Sequence, residues 1–358
     1  MKVLHLLSSN KYSGAENVVC QIIKMFDKDA EMVYCSPDGD IKKTLEEKGI
    51  QFISLKELSK KELKKAVKDY NPDIIHAHDL KACLFASKIK NVKLISHMHV
   101  NHPKMKKVSL RSIVALNVLK KFSHIYWVSN SAYNDFIFKD KLKNTSEVLP
   151  NIISLKELND KVNSSKEEAG FDIVYCGRIT EQKDPLRIVD IAKLVCQKRP
   201  NVTFGIIGDG DKLEETKKYA VDKGVQNVVS FLGFKSNPFS MIKNSKLMIL
   251  TSKFEGTPMT ALESLSLGTP IISTKTDGMV DLLNDKIGLL YDANEEASDL
   301  IVDLLLNEVE IEKMSKSAIE FSKNYNNVEK YKSILESNYR SWLWAILRFW
   351  CWFLVCFS

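Results

Sequence analysis

The sequence predicts an α/β protein made of two doubly wound domains, each on a parallel sheet. Three observations carry this. Short apolar runs alternate with segments of helical periodicity along most of the chain. Its 358 residues exceed what one ordinary hydrophobic core fills and suit two domains of common size. An apolar content of 44% with 27% charged residues is that of a soluble globular protein.

Residues 2–8 read as a buried strand, followed by the loop Ser9 to Glu16 and an apolar helix from about residue 17 to 26. A glycine-containing loop before a helix is a ready anion site, because the free backbone N–H groups point outward. The three-glycine dinucleotide fingerprint is absent, and the first apolar run is too short for a signal peptide. Strand and helix signals then alternate through 31–35, 41–48, 51–55, 59–70, 73–78, 80–89 and 92–97, as in βαβ units. His76-Ala77-His78 and His97-Met98-His99 each end a strand on its carboxyl side. Imidazoles two apart can chelate zinc, but no carboxylate or cysteine completes a tetrahedral set. Backbone hydrogen bonds are therefore the expected partners of His76 and His78, and no metal or other cofactor is expected.

Residues 101–122 combine Lys104, Lys106, Lys107 and Arg111 with Ile113, Leu116, Val118 and Leu119. This is the pattern of a basic amphipathic helix on a membrane surface, or of a core helix with a solvated basic face. Residues 125–129 form another strand, and the polar segment 159–170, lacking an apolar stripe, reads as a linker. The net charge of +7 is uneven: residues 1–150 carry 26 Lys+Arg against 16 Asp+Glu, so +10 lies there and −3 on the remainder. An anionic membrane surface is the expected partner, and nucleic acid is excluded because no zinc pattern, recognition helix or aromatic-rich basic segment accompanies the charge. Seven scattered cysteines without a C-x-x-C pair indicate reduced thiols and a cytoplasmic protein.

In the second half, residues 172–176 form a strand that delivers Gly177, which permits a close turn, and then Arg178 and Lys183. A fork donor and a point charge five residues apart, on a loop before a helix opened by Pro185, suit a diphosphate. Asp209-Gly210-Asp211 reads as a glycine-containing turn and not as a metal pair. The stretch 253–274, KFEGTPMTALESLSLGTPIIST, reads as a turn, a helix and a second buried strand. Glu255 before the helix and Glu263 two turns into it can face one crevice at a strand's carboxyl end, where two acceptors suit sugar and ribose hydroxyls. Both can equally be solvated surface groups.

In order and spacing, Glu255-Gly256-Thr257-Pro258, Leu262-Glu263-Ser264 and Gly268-Thr269-Pro270-Ile271-Ile272 resemble the donor-site motif of the family 4 glycosyltransferases. That group is retaining and has the GT-B fold. Ser13-Gly14-Ala15-Glu16 resembles the family's Gly-Gly-Ala-Glu motif, Gly177-Arg178 and Lys183 its diphosphate clamp, and residues 93–99 its strand ending in a histidine. In Thr276-Asp277-Gly278-Met279-Val280-Asp281, where the family usually shows two glycines and then a glutamate, Met279 stands for the second glycine and Asp281 for the acid. The resemblance implies that Gly14, Ala15, Gly177, Gly256 and Thr257 contact the donor. It implies that Arg178 and Lys183 hold its diphosphate, Glu255 its sugar and Glu263 its ribose. His99, with His97 in reserve, would face the sugar. The expected activity is retaining transfer from a nucleotide sugar to a glycan or lipid-linked glycan, as in bacterial surface-polysaccharide synthesis, at the inner face of the membrane. A nucleotide-sugar epimerase or phosphorylase and a non-catalytic sugar-binding protein are the alternatives.

The expected divisions are an acceptor-side domain at 1–158, a linker at 159–170, a donor-binding domain at 171–325 and a helix at 326–340. The apolar tail at 341–358 holds four of the five tryptophans and reads as a shallow membrane anchor or as an altered C-terminus.

Overall fold

A computed structural model describes residues 1–99, 102–165 and 169–341. The first sheet has seven parallel strands: β1 (Lys2–Leu6), β2 (Glu31–Pro37), β3 (Phe52–Leu55), β4 (Ile74–Ala77), β5 (Lys93–Met98), β6 (His124–Trp127) and β7 (Ser146–Val148). Their order is β3-β2-β1-β4-β5-β6-β7. The second sheet has six: β8 (Ile173–Cys176), β9 (Phe204–Ile207), β10 (Val229–Gly233), β11 (Leu247–Leu250), β12 (Ile271–Thr274) and β13 (Gly288–Tyr291). Its order is β10-β9-β8-β11-β12-β13. Each sheet thus reverses direction once, beside its first strand, and the crevice at such a switch point is where open α/β sheets take ligands. Strands β4, β9, β11 and β12 are buried at every position, because helices cover both faces and no polar alternation survives.

One apolar cluster runs from Val19 and Ile22 of the first domain through Leu158 to Met248 and Leu262 of the second. Part of it comes from the helix over 328–341, which follows the second domain but returns to the first. Its Tyr339 hydroxyl lies 2.8 Å from His76 Nδ1 and its ring 5.7 Å from that of Phe26, while Lys332 pairs with Asp29 at 2.5 Å.

Two segments differ from the sequence reading. Residues 101–122 do not form one helix: a 3₁₀ turn at Pro103–Met105 precedes a helix at Leu110–Leu119. Ser109 caps that helix, accepting from Ser112 N at 3.1 Å while Ser112 Oγ accepts from Ser109 N at 2.9 Å, and this reciprocal pair fixes the break. The helix Leu155–Asn163 takes in residues 159–163 of the expected linker, because a single buried leucine just before them, Leu158, is enough to dock a polar helix. The tail at 342–358 lies outside the described residues. Among those described, no helix is long and apolar enough to cross a membrane.

Candidate active site

The carboxyl ends of the two sheets face each other across a cleft of about 390 Å³. From the first domain, Tyr12, Gly14, Ala15, His99 and Asn151 line it. Gly14 opens the helix Gly14–Met25, and its cap Ser13 is extended and makes no side-chain cap bond, which leaves first-turn N–H groups free toward the cleft. Ser13 Oγ bonds instead to the buried Glu16, whose carboxyl burial pushes above its ordinary pKa. Between the two competing histidines the geometry is clear. His99 lines the cleft, and His97 lies behind it with ring centroids 4.2 Å apart.

From the second domain, Gly177, Arg178, Lys183, Glu255, Gly256 and Thr257 line the cleft. The β8 and β9 ends converge closely: Gly177 N donates to Ile207 O at 3.0 Å, and a Cβ on Gly208, at φ +148°, would overlap the Gly177 carbonyl. The Arg178 and Glu255 loops are tied together, Gln182 Nε2 donating to Phe254 O at 3.0 Å and Thr251 Oγ1 to Lys183 O at 2.7 Å. Asp184 adopts the left-handed conformation (φ 49°), an uncommon state for a non-glycine residue, immediately before Pro185 starts its helix. Thr251 Oγ1 bonds its carbonyl at 3.1 Å as well.

These loops place charges in a definite pattern. Lys183 Nζ is ion-paired with Glu255, and both side chains are mostly buried, at 14% and 9% exposure. Ser252 Oγ donates to the same Glu255 oxygen at 2.6 Å. Glu181, which the sequence leaves free to pair with either site cation, pairs with Lys253 instead. Among the described residues no ion pair holds Arg178, whose side chain is exposed in the cleft. Glu263 stands apart from the other expected site residues, since it does not line the cleft. It sits two turns into the helix Met259–Ser266, where burial raises its pKa to about 7 against the opposing pull of Lys161.

Four contacts join the domains beside the cleft. Asn151 Nδ2 donates to Thr257 O at 3.0 Å, and Thr257 Oγ1 to Val128 O at 3.0 Å. Ser131 N donates to Asp281 at 2.8 Å, so Asp281 serves the interface. Lys106 bridges Asp135 and Asp277 at 2.8 and 2.5 Å, which removes it from the expected membrane-facing set. The backbones meet directly, too: a Cβ on Gly256 would overlap the His99 carbonyl.

The histidines depart most from expectation. His76 and His78 are bound to side chains, not to backbone. His78 Nε2 lies 2.9 Å from His5 Nδ1, His78 Nδ1 lies 3.1 Å from His99 Nε2, and His76 bonds Tyr339. All five of His5, His76, His78, His97 and His99 are buried, and burial holds their pKa values below the usual imidazole range, to about 3 for His5 and about 4 for His99. They are neutral at pH 7. The sequence reading also assigned no role to Phe234, an aromatic ring 75% exposed at the cleft. Its position just past the glycine that ends β10 is the one signal that marks it.

Residues 156–324 match the family model described as glycosyl transferases group 1. That match takes in 169 of the 358 residues, most of the second domain. The chain is 29% identical to an uncharacterized glycosyltransferase of Methanocaldococcus jannaschii, over 71% of each chain. It is 25% identical to the UDP-Gal:alpha-D-GlcNAc-diphosphoundecaprenol alpha-1,3-galactosyltransferase of Escherichia coli, over 65% of this chain and 66% of that one. Anabaena HepE, solved in complex with UDP-glucose, superposes with a TM-score of 0.82 at 20% identity, covering 95% of this chain and all of that one. That likeness shows the GT-B fold for this chain, with the cleft between its two Rossmann-like domains.

Proposed function

We propose that this protein is a glycosyltransferase that moves a hexose from a UDP-sugar to a lipid-linked glycan with retention of configuration. The observation that carries the proposal is the cleft's charge pattern. An uncommitted Arg178, the Lys183–Glu255 pair and the free helix start at Gly14 converge on one space. An arriving diphosphate takes Arg178 and Lys183, which releases Glu255 to accept from sugar hydroxyls. The acceptor hydroxyl attacks the anomeric carbon as the carbon–phosphate oxygen bond breaks on the same face. The acceptor's proton passes to a donor phosphate oxygen, and the products are the new glycoside and UDP. Arg178, Lys183 and the helix start carry the charge that develops on the leaving diphosphate, the kind of electrostatic work that dominates such steps. No metal ion is required by this scheme. His99 bounds the sugar from the opposite domain, and Glu263, one helical turn beyond the cleft-lining Thr260, is assigned to the ribose.

The acceptor side rests on the relative whose name specifies a diphosphoundecaprenol acceptor and on a second groove in the first domain. Lys81, Lys104, Lys107 and Arg111 surround it with Leu84 and Leu110. Leu110 and Val108 are 80% and 66% exposed, apolar side chains among cations, a combination suited to an anionic membrane surface at the cytoplasmic face. The test is sugar transfer from a panel of UDP-sugars to lipid-linked glycans, read by mass spectrometry, for wild type and Lys183→Ala. Transfer in the variant within a few-fold of wild type overturns the role of the clamp. UDP release or epimer formation without any acceptor overturns the transferase reading.

A further inference from the structure

We infer that the first domain binds a divalent transition-metal ion, Zn²⁺ in the first instance, through the imidazoles of His78, His97 and His99. The inference stands independently of the sugar-transfer reading.

Parallel pairing is what assembles the site. Register places His5 beside His76 across β1 and β4, while β5 brings His97 and His99 alongside. Five of the chain's seven histidines therefore collect on one face of one sheet. The sequence argument against zinc was that no carboxylate or cysteine completes a tetrahedral set around either histidine pair. In the folded chain the two pairs supply one another, and His5 joins them.

The hydrogen-bond account of the cluster does not close. A neutral imidazole carries one donor and one acceptor, and both need partners when buried. His78 is satisfied by His5 and His99. His76 Nε2, both ring nitrogens of His97 and His99 Nδ1 are buried without hydrogen-bond partners. The Asn151 side chain beside His99 and the Leu149 backbone beside His97 are near enough to oppose the effect of burial on each ring, but neither forms a well-aligned hydrogen bond. Orphaned buried nitrogens are a cost if the cluster only fills space; of the set used here only His97 brings such atoms, while His78 Nδ1 and His99 Nε2 would exchange their mutual hydrogen bond for bonds to the cation.

The spacing fits a cation. One ligand atom from each of His78, His97 and His99 lies within 4.8 Å of the others. Tetrahedral zinc, with bonds of about 2.0–2.1 Å, sets its nitrogens roughly 3.3 Å apart. His78 Nδ1 and His99 Nε2, at 3.1 Å, are already near that separation. Small ring rotations bring His97, stacked on His99, into the set. A donor set of neutral imidazoles favours Zn²⁺, Cu²⁺ or Ni²⁺ over Mg²⁺ or Ca²⁺, which prefer oxygen. Because His99 lines the cleft, the ion has a route in and the fourth position can take water. The bound ion would join the ends of β4 and β5 and fix the His99 ring.

The experiment is equilibrium dialysis of chelator-treated full-length protein against Zn²⁺, with bound metal counted by atomic emission and melting followed in parallel. We expect one Zn²⁺ per chain and a higher melting temperature with zinc. His97→Phe keeps the ring volume and should lower the affinity by at least about 10-fold and abolish the thermal shift. His97→Gln serves the same purpose if the phenylalanine variant misfolds by circular dichroism. Replacing His102 and His124, the two histidines outside the cluster, by alanine should change neither reading. Substoichiometric binding by wild type, or undiminished binding by a folded His97 variant, overturns the inference.

Discussion

Glu263→Gln offers a quantitative test of how the donor cleft is built. Glu263 is half-buried on the helix Met259–Ser266, desolvation outweighs the pull of Lys161, and its pKa rises from the ordinary 4.5 to about 7. A rise of that size corresponds to about 3 kcal/mol of differential stability between the protonated and ionised forms. The sign follows from linkage. The folded-state pKa lies above the unfolded one, so the favourable contribution is complete below about pH 4.5 and is lost as pH rises through about 7. Glutamine keeps the shape and cannot ionise. The stability difference between Glu263→Gln and wild type should therefore grow with pH, from about 1 kcal/mol at pH 5 to about 3 kcal/mol in the variant's favour at pH 8. The assay is urea unfolding at both pH values, followed by tryptophan fluorescence and circular dichroism. A gain of equal size at pH 5 and pH 8 would refute the reasoning, because it would place the benefit in packing instead of charge. The same variant should bind donor less well, since the carboxylate that burdens the fold is the proposed ribose acceptor.

Three further outcomes are expected. Gly256→Ala should lower transfer on the order of 100-fold while leaving both domains folded, because the new Cβ meets the His99 carbonyl and holds the sheets apart; unchanged activity would mean that the contact is dispensable. Phe234→Ala should raise the donor KM, with stacking on a nucleobase worth about 1–3 kcal/mol and kcat little changed. Equal losses with UDP-sugar and with free sugar phosphate would exclude stacking. Lys107→Glu combined with Arg111→Glu should release the protein from anionic vesicles at low salt, whereas Lys106→Ala should not, because Lys106 is occupied by Asp135 and Asp277.

The elements most legible in the sequence were those whose signal is local. Buried strands such as β11 and β12 declare themselves as unbroken apolar runs, and the loops after β8 and β11 carry their charged residues in short, ordered motifs. Arg178, Lys183 and Glu255 could be named as site residues for that reason. Pairings between distant segments could not be read. Lys183 and Glu255 lie 72 positions apart, and nothing in either motif says that the cation and the carboxylate neutralise each other before ligand arrives. Lys106 looks like one more lysine in a basic run, yet its partners sit on another helix and in the other domain. The histidine cluster depends on strand order, since His5 meets His76 only because β1 and β4 are neighbours at the switch point. The helix at Leu155–Asn163 escaped notice because one buried leucine leaves no periodic stripe to detect.

The return of the helix over 328–341 to the first domain has a consequence for synthesis. When a ribosome has translated the first 150 residues, all seven strands of the first sheet exist, but the tyrosine that binds His76 does not. The histidine face and the Phe26 side of the core stay without their cover until the whole second domain has been made. Domains emerging from the ribosome usually fold as units, N-terminal first. In this chain the unit that starts first finishes last, and chains stopped anywhere before Tyr339 would present the same uncovered apolar face to the cell's quality control.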